Sequence, residues 1–444
     1  MKNIFKDSSV NNIYALDGTV PLSKAIPFGF QHILAMFVAN IAPIIIVASA
    51  CGLNQSETAY LIQCAMFIAG IGTILQLYPK FRIGSGLPIV MGISFTFVSA
   101  LCVIGSNPDY GYPTVIGAVI VGGIVEGILG LFAKYWRKII SHVVAASVVT
   151  AIGFSLLNVG ASSFGGGSGS PDFGSLKNLC LGSLTLVVSL IVNIFAKKHY
   201  KQLSVLAGLI VGYIAALFMG IVDFSAVHTG SIISLPKILP YMPKFDLSAI
   251  ISVVLIYLVS ATETIGDTSA ISATCLNREI SDKEISGSIA CDGFVSALSG
   301  VFGAIPITSF SQNVGLVAMT KVVNRFSILM GAIIMILAGL FPVFGNILAT
   351  LPESVLGGCT IMMFGSIVVS GIQMLSACGF TQRNLTIASL SLGIGIGFTQ
   401  VSEIFNIFPD IIRNVFAENC VAVVFVVAVV MNLVLPKEET ENKQ

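Results

Sequence analysis

The run TSFSQNVGLVAMTKVVNR, Thr308 to Arg325, sits among long apolar stretches, yet it carries Thr308, Ser309, Ser311, Gln312 and Asn313 close together, with Pro306 just ahead. Polar, helix-breaking residues at membrane depth are costly unless they line a cavity. A half-helix starting near Gln312 would aim free backbone N–H groups and the positive end of its dipole at whatever fills that cavity. The run therefore reads as a broken span beside a central site, and the rest of the chain reads as its scaffold.

Composition sets the class. Of 444 residues, 55% are hydrophobic and 10% are charged, whereas a soluble chain carries roughly 25% charged residues. The mean hydropathy is +0.95. Long apolar runs point to an all-α polytopic membrane protein, because a β-barrel would show short alternating segments. A net charge of +1 names no partner. The densest basic cluster, KKHYK at 197–201, reads as a cytoplasmic loop and is too short for nucleic acid. The nine cysteines form no CxxC pair, and several fall inside apolar runs, so they read as small packing residues. The opening MKNIFKDSSVNNIYALDG lacks the apolar core and cleavage site of a signal peptide, so the first span serves as its own insertion signal.

A span needs about 20 apolar residues. On that ruler fourteen spans are expected: near 25–50, 57–78, 84–105, 113–133, 140–160, 179–196 and 203–221, then near 248–272, 283–303, 305–321, 326–345, 353–372, 384–399 and 419–435. An even count puts both termini on one side. With that side cytoplasmic, 18 of the 22 basic residues fall inside, and only Lys177, Lys237, Lys244 and Arg413 fall outside. A miscounted span would scramble this asymmetry, so it supports both count and orientation. The segment 400–416, QVSEIFNIFPDIIRNVF, mixes apolar residues with Glu403, Asp410 and Arg413 and reads as lying along the interface. The outer loop 161–178 is Gly/Ser-rich, the composition of a flexible linker.

Seven spans precede the proline-containing loop 222–247 and seven follow it. An odd number per half gives the halves opposite orientations, an inverted repeat. The expected organisation is a cytoplasmic tail (1–24), a first repeat (25–221), an extracellular connecting loop (222–247), a second repeat (248–436) and a cytoplasmic tail (437–444). Span three opens with GSGLPIVMGISFTF (84–97) and span ten with AIPITSFSQNVGL (304–316), both interrupted and at matching places in their halves. Such a pair points to the central site of a transporter.

Span eight supplies the chemistry. Glu263 and Asp267 stand four residues apart and share one helical face. Two carboxylates on one face cannot face lipid, and burial away from water favours the neutral form of an acid, which suits proton uptake and release. Asp292 in span nine is a third intramembrane carboxyl and a candidate proton relay. Glu126, among glycines in span four, reads equally well as structural or functional. His32, after Gln31 in span one, is a candidate for tuning the site, whereas His142 sits at a span end and His199 and His228 sit in loops. No HExxH, CxxC, GxSxG or phosphate-binding Gly-rich motif is present, so neither a metal site, a hydrolase nor an ATP-driven pump has a sequence handle.

These residues resemble the nucleobase–ascorbate transporter family, also called nucleobase:cation symporter-2. Its signature is Gln, Glu or Pro followed by Asn-x-Gly-x-x-x-x-Thr and then Arg, Lys or Gly. Gln312, Asn313, Gly315, Thr320 and Lys321 satisfy it in full. The ETIGD run at 263–267, the Gln31–His32 pair and the SGLP…SF pattern of span three also match, so the resemblance covers nearly the whole chain. It implies fourteen spans in two inverted seven-span repeats, with short strands in broken spans three and ten. Spans 1–4 and 8–11 would form a core domain; spans 5–7 and 12–14 would form a gate domain. It implies further that Glu263 binds ring N–H groups and that Gln312 is the second side-chain binder. Backbone around Ser94 and Phe95 would complete the pocket, Asp267 and Asp292 would support proton coupling, and Asn313 and His32 would tune affinity.

Uracil transporters of this family carry Glu at the position of Gln312 and a His shortly after the span-eight Glu. Gln312 and Asp267 here match the xanthine and uric acid branch, and an amide that both donates and accepts suits a purine edge. The expectation is proton-coupled uptake of xanthine and/or uric acid by alternating access, with no bound cofactor and with Na⁺ as the alternative coupling ion. The resemblance also implies a homodimer through gate helices. A bacterial inner membrane is the expected location. A uracil permease is the nearest alternative. An anion transporter of the related sulfate-transporter fold is a further one, disfavoured by the carboxylates and the short C-terminal tail; a membrane enzyme lacks any nucleophile or metal constellation.

Overall fold

The structure, a computed structural model, describes residues 12–137, 140–167, 169–197, 200–224 and 233–436. The ends of the expected tails (1–11 and 437–444), His199, His228, and Lys2, Lys6, Lys138, Lys198, Lys437 and Lys443 of the expected basic face lie outside these residues.

The chain opens with α1 (Leu22–Ala50) and α2 (Gln55–Leu77), then β1 (Met91–Ile93), a 3-10 turn at Phe95–Phe97, α3 (Val98–Ser106), α4 (Gly111–Leu131) and the short α5 (Ala133–Trp136). Next come α6 (His142–Phe164), α7 (Leu176–Phe195) and α8 (Ser204–Phe218). The same order of long helices and strand recurs in α9 (Leu247–Leu276), α10 (Asp282–Val301), β2 (Ile307–Ser309), α11 (Ser311–Thr320) and α12 (Arg325–Leu340). The chain ends with α13 (Pro342–Leu348), α14 (Glu353–Ala377), α15 (Gln382–Gln400), α16 (Asp410–Phe416) and α17 (Cys420–Val434). Among the described residues, seven helices are individually long and apolar enough to cross a membrane.

Local chemistry sets the ends. At α2 the Asn54 side chain accepts the N–H of Glu57 (3.0 Å) while the Glu57 carboxylate accepts the N–H of Asn54 (2.8 Å). Ser281 and Glu284 repeat this reciprocal cap at α10, and Arg278 grips the same carboxylate at 2.5 and 2.9 Å. The expected continuous span 326–345 is broken: α12 stops before Phe341 and α13 turns away by 83°. Pro342 supplies no N–H and biases Phe341 away from helical geometry. Segment 400–416 forms a 3-10 turn and α16, set at 101° to α17. The Gly/Ser-rich run near 165–178 is folded back on itself, with Gly174 N–H bonded to Gly165 C=O at 2.8 Å and Asn178 Nδ2 to Asp172 C=O at 3.0 Å.

The two strands pair antiparallel, with Met91 opposite Ser309, Gly92 opposite Thr308 and Ile93 opposite Ile307. Both are fully buried. A two-stranded ribbon leaves outward N–H groups that lipid cannot satisfy, and neighbouring helices supply the partners. Met91 N–H donates to Thr73 Oγ1 of α2 (3.0 Å), and Ile93 N–H to Asn40 Oδ1 of α1 (2.7 Å). Ile307 N–H donates to Ser296 Oγ of α10 (3.1 Å), and Ser309 N–H to Asp292 Oδ2 (3.0 Å). A side chain at Gly92 would be crowded, because a Cβ there would lie 2.8 Å from the Phe310 ring and 2.9 Å from Asn40 Oδ1.

The helices pack in two groups around this ribbon. In one, α4 runs along α9 and α10, α2 along α12, and α1 along α12 and α3. In the other, α6 packs on α14 and α17, α7 on α8 and α14, and α15 on α17. The α4–α10 seam is in backbone contact: a Cβ on Gly293 would sit 2.1 Å from the nitrogen of Gly127, the close approach that small residues allow between membrane helices. The loop preceding α9 straps the first group, since Ser234, Leu239 and Lys244 donate backbone N–H groups to Leu340, Val301 and Pro113. At the opposite end, the segment before α1 is held by Asn324, whose Nδ2 bonds the C=O groups of Ala15 and Gly18, and by an Arg325–Asp17 ion pair.

Candidate functional site

The ribbon fixes where α11 starts. Phe310 N–H bonds Val90 C=O (2.9 Å), and α11 begins one residue later at Ser311. Gln312 and Ser311 thus project from the first turn of a half-helix, one residue earlier than the sequence pattern suggests. They face a cavity of about 1210 Å³.

Across from them α9 presents Glu263 and Asp267 on the face that their spacing predicts. Glu263 Oε2 accepts the Thr96 hydroxyl at 2.9 Å, and Oε1 lies 3.1 Å from Ser311 Oγ. The same Ser311 Oγ lies 2.7 Å from Asp267 Oδ2. Residues from the two interrupted segments therefore converge on the span-eight carboxylates.

The cavity lies between the two helix groups. One wall comes from α1 (Leu34, Val38), α9 and α11. The facing wall comes from α6, α8 and α14, including Met363, Ser366 and Ile367. Its lining reaches Arg137, His142 and Lys201, so it extends toward the side to which the sequence assigns basic residues. Among the contacts between the two groups, Phe95 and Phe364 do not line the cavity, and their rings meet edge to face at 5.3 Å.

The remaining candidates sit behind this surface. Asp292 is fully buried and accepts Gln76 Nε2 (3.0 Å), Thr264 Oγ1 (2.6 Å), and both the N–H and hydroxyl of Ser309 (3.0 and 2.9 Å). Asn313 is buried, with Nδ2 3.5 Å from Met36 Sδ and Oδ1 unbonded. His32 is buried on α1 with Nδ1 unbonded and does not line the cavity. Ser94 is buried, its N–H bonded to Pro306 C=O at 3.2 Å, and neither it nor Phe95 lines the cavity. Glu126 is buried in the α4 seam, with both carboxyl oxygens unbonded. Sequence reasoning assigned nothing to Thr96, Asn40 or Gln76. Gln76 Oε1 also accepts the Ser85 N–H and hydroxyl, both at 3.0 Å. No cluster of metal-ligating side chains occurs among the described residues.

The profile of a family described as "Permease family" matches residues 23–404. The xanthine permease of Bacillus subtilis is 36% identical over 415 residues, 93% of each chain. This chain belongs to the nucleobase–ascorbate transporter family. Members so matched also include the uric acid permease PucK of Bacillus subtilis, 38% identical over 85% of this chain and 88% of that one. The putative purine permease CPE0397 of Clostridium perfringens is 36% identical over 99% and 96%. The nucleobase–ascorbate transporter family comprises permeases, not enzymes, and its membership together with the long apolar helices makes this a multi-pass membrane protein. Among solved structures, the transmembrane domain of the cyanobacterial bicarbonate transporter BicA superposes with a TM-score of 0.62 at 15% identity, covering 91% of this chain and 98% of that one. The murine anion transporter Slc26a9 in its inward-facing state gives 0.62 at 12% identity, covering 90% and 68%. At such identity the likeness concerns the fold alone.

Proposed function

We propose that this protein is a proton-coupled symporter that takes up a purine nucleobase, xanthine and/or uric acid, by alternating access. One observation carries the reading: Glu263 and Gln312, from segments far apart in the chain, face one cavity between two helix groups. A planar base held edge-on needs an acceptor for its ring N–H groups and an amide for an adjacent carbonyl and nitrogen. Glu263 and Gln312 supply that pair. Backbone at Ser94 and Phe95 is left out of this pocket, because the Ser94 N–H is bonded to Pro306 and neither residue lines the cavity. Asn313 and His32 tune affinity from behind, and Asp267 and Asp292 support coupling.

The two helix groups correspond to a core domain (spans 1–4 and 8–11) and a gate domain (spans 5–7 and 12–14) of a fourteen-span inverted repeat. The recurrence of two long helices, a strand and a short helix supports this count. On this reading the basic side is cytoplasmic, the cavity is the inward-facing access path, and the Phe95–Phe364 contact closes the outer side. A homodimer through gate helices and a bacterial inner membrane belong to the same proposal. The matched xanthine and uric acid permeases support a purine over uracil, and Gln312 supports it independently.

The test is uptake of labelled xanthine in cells lacking their own purine permeases, with and without a protonophore, and with unlabelled urate or uracil as competitor. The expected result is uptake that collapses with the protonophore and is blocked by urate, not uracil. No uptake by protein shown to be in the membrane removes xanthine; competition by uracil overturns the purine assignment.

A further inference from the structure

Ser311 makes two contacts that one hydroxyl proton cannot satisfy as two donations. Its Oγ lies 3.1 Å from Glu263 Oε1 and 2.7 Å from Asp267 Oδ2. A serine hydroxyl has one O–H to give, and an ionised carboxylate only accepts. If both contacts are hydrogen bonds, one carboxyl must donate to Ser311. Glu263 is the better-supported anion, because it also accepts Thr96 at 2.9 Å. The shorter contact is the one to Asp267.

We propose that Ser311 is a proton relay joining Asp267 to Glu263, with one proton shared by the pair. In the structure described here, Asp267 Oδ2–H donates to Ser311 Oγ, and the Ser311 hydroxyl donates to Glu263 Oε1. In transfer, the Asp267 proton passes to Ser311 Oγ as the serine's own proton passes to Glu263. Asp267 becomes the anion, Glu263 the neutral acid, and the proton count is unchanged. This inference rests on the proposed function for its purpose: a base that donates ring N–H groups needs Glu263 as carboxylate, so bound substrate locks the shared proton on Asp267, and departure of the base frees it to exchange with Glu263. Ser311 is thus a positioning residue that ties occupancy of the site to where the proton sits.

The other charged groups near the pair are few. Asp292 on α10 lies within electrostatic reach of Asp267 and is engaged by Gln76, Thr264 and Ser309. From α1 only apolar residues line the cavity, and across it stand His142, Lys201 and Arg137, the last paired with Asp282 at 2.5 Å. None of these competes for the Ser311 hydroxyl.

The test compares wild type with Ser311→Ala, Ser311→Thr and Asp267→Asn by two readouts. In infrared spectra of purified protein, the carbonyl band of a protonated acid present in wild type is lost in Asp267→Asn, shifted in Ser311→Ala and restored in Ser311→Thr. In proteoliposomes, Ser311→Ala reduces proton-driven accumulation of labelled xanthine much further than xanthine-for-xanthine exchange, which moves no net proton, and Ser311→Thr recovers both. An unshifted band in Ser311→Ala, or equal loss of accumulation and exchange with no recovery in Ser311→Thr, overturns the relay. If wild type moves no xanthine, the proposed function fails, and the infrared comparison still decides the shared proton.

Discussion

Asp292 of α10 and Ser309 of β2 are joined twice, by the backbone N–H at 3.0 Å and the hydroxyl at 2.9 Å. The same carboxylate reaches α2 through Gln76 and α9 through Thr264. One side chain therefore bonds four donors on three elements behind the site. Removing it takes the acceptor from the Thr264 hydroxyl and from the Ser309 N–H and hydroxyl, at about 1–3 kcal/mol apiece, while Gln76 keeps Ser288. Asp292→Ala is expected to leave little folded protein in the membrane, and Asp292→Asn, which keeps one acceptor oxygen, an intermediate amount. Membrane abundance and thermal melting in detergent check this; a normally folded Asp292→Ala protein would refute the structural part of its role.

Glu263 and Gln312 line the cavity without holding the ribbon together. Glu263→Gln and Gln312→Ala are therefore expected to reach the membrane in normal amount and to lose all or nearly all xanthine uptake. Uptake at the wild-type rate by Glu263→Gln would take that residue out of the site.

Glu126 makes the opposite prediction. Both its oxygens are buried without a hydrogen bond of good geometry, and the Ser260 hydroxyl beside them is neutral. A charge here would be uncompensated, so a neutral replacement removes a liability. Glu126→Gln and Glu126→Met are expected to melt at or above wild type. A folded Glu126→Gln protein that fails to transport would assign the carboxyl a part in the cycle.

The α4–α10 seam depends on having no side chain at Gly293. Gly293→Val forces the two backbones apart, and overpacking of this kind costs about 1–3 kcal/mol or more. The melting temperature is expected to fall, with transport lost in proportion to folded protein. The same change at Gly266, where a Cβ meets nothing within 4 Å, is expected to leave the melting temperature unchanged.

The candidate site is more legible in the sequence than the residues that support it. Four polar residues among the five at 309–313, shortly after Pro306, and Glu263 four residues from Asp267, are anomalies that the sequence alone exposes. Asn40 and Thr73 are small polar residues in apolar helices and Ser296 is one of several serines in α10, and nothing in their spacing says that they satisfy strand N–H groups; that depends on pairing between distant segments. Gln76 is hidden for the same reason. The wall formed by Met363 and Ile367 looks like any apolar span until α14 is seen against the cavity. Pro342 was visible, but a proline in an apolar run does not say whether the helix kinks or stops, and here it stops.

The pairing of Gly92 with Thr308 has a consequence for how the chain is made. During synthesis the first strand enters the bilayer long before its partner exists. Until β2 emerges, the inner edge of β1 has no mate, and only Thr73 and Asn40 on its outer edge are at hand. Pairings so distant in sequence form slowly, because loop closure comes before reward. The first half therefore waits with one edge of β1 unpaired, and the ribbon that positions the candidate site can close only when the second half arrives.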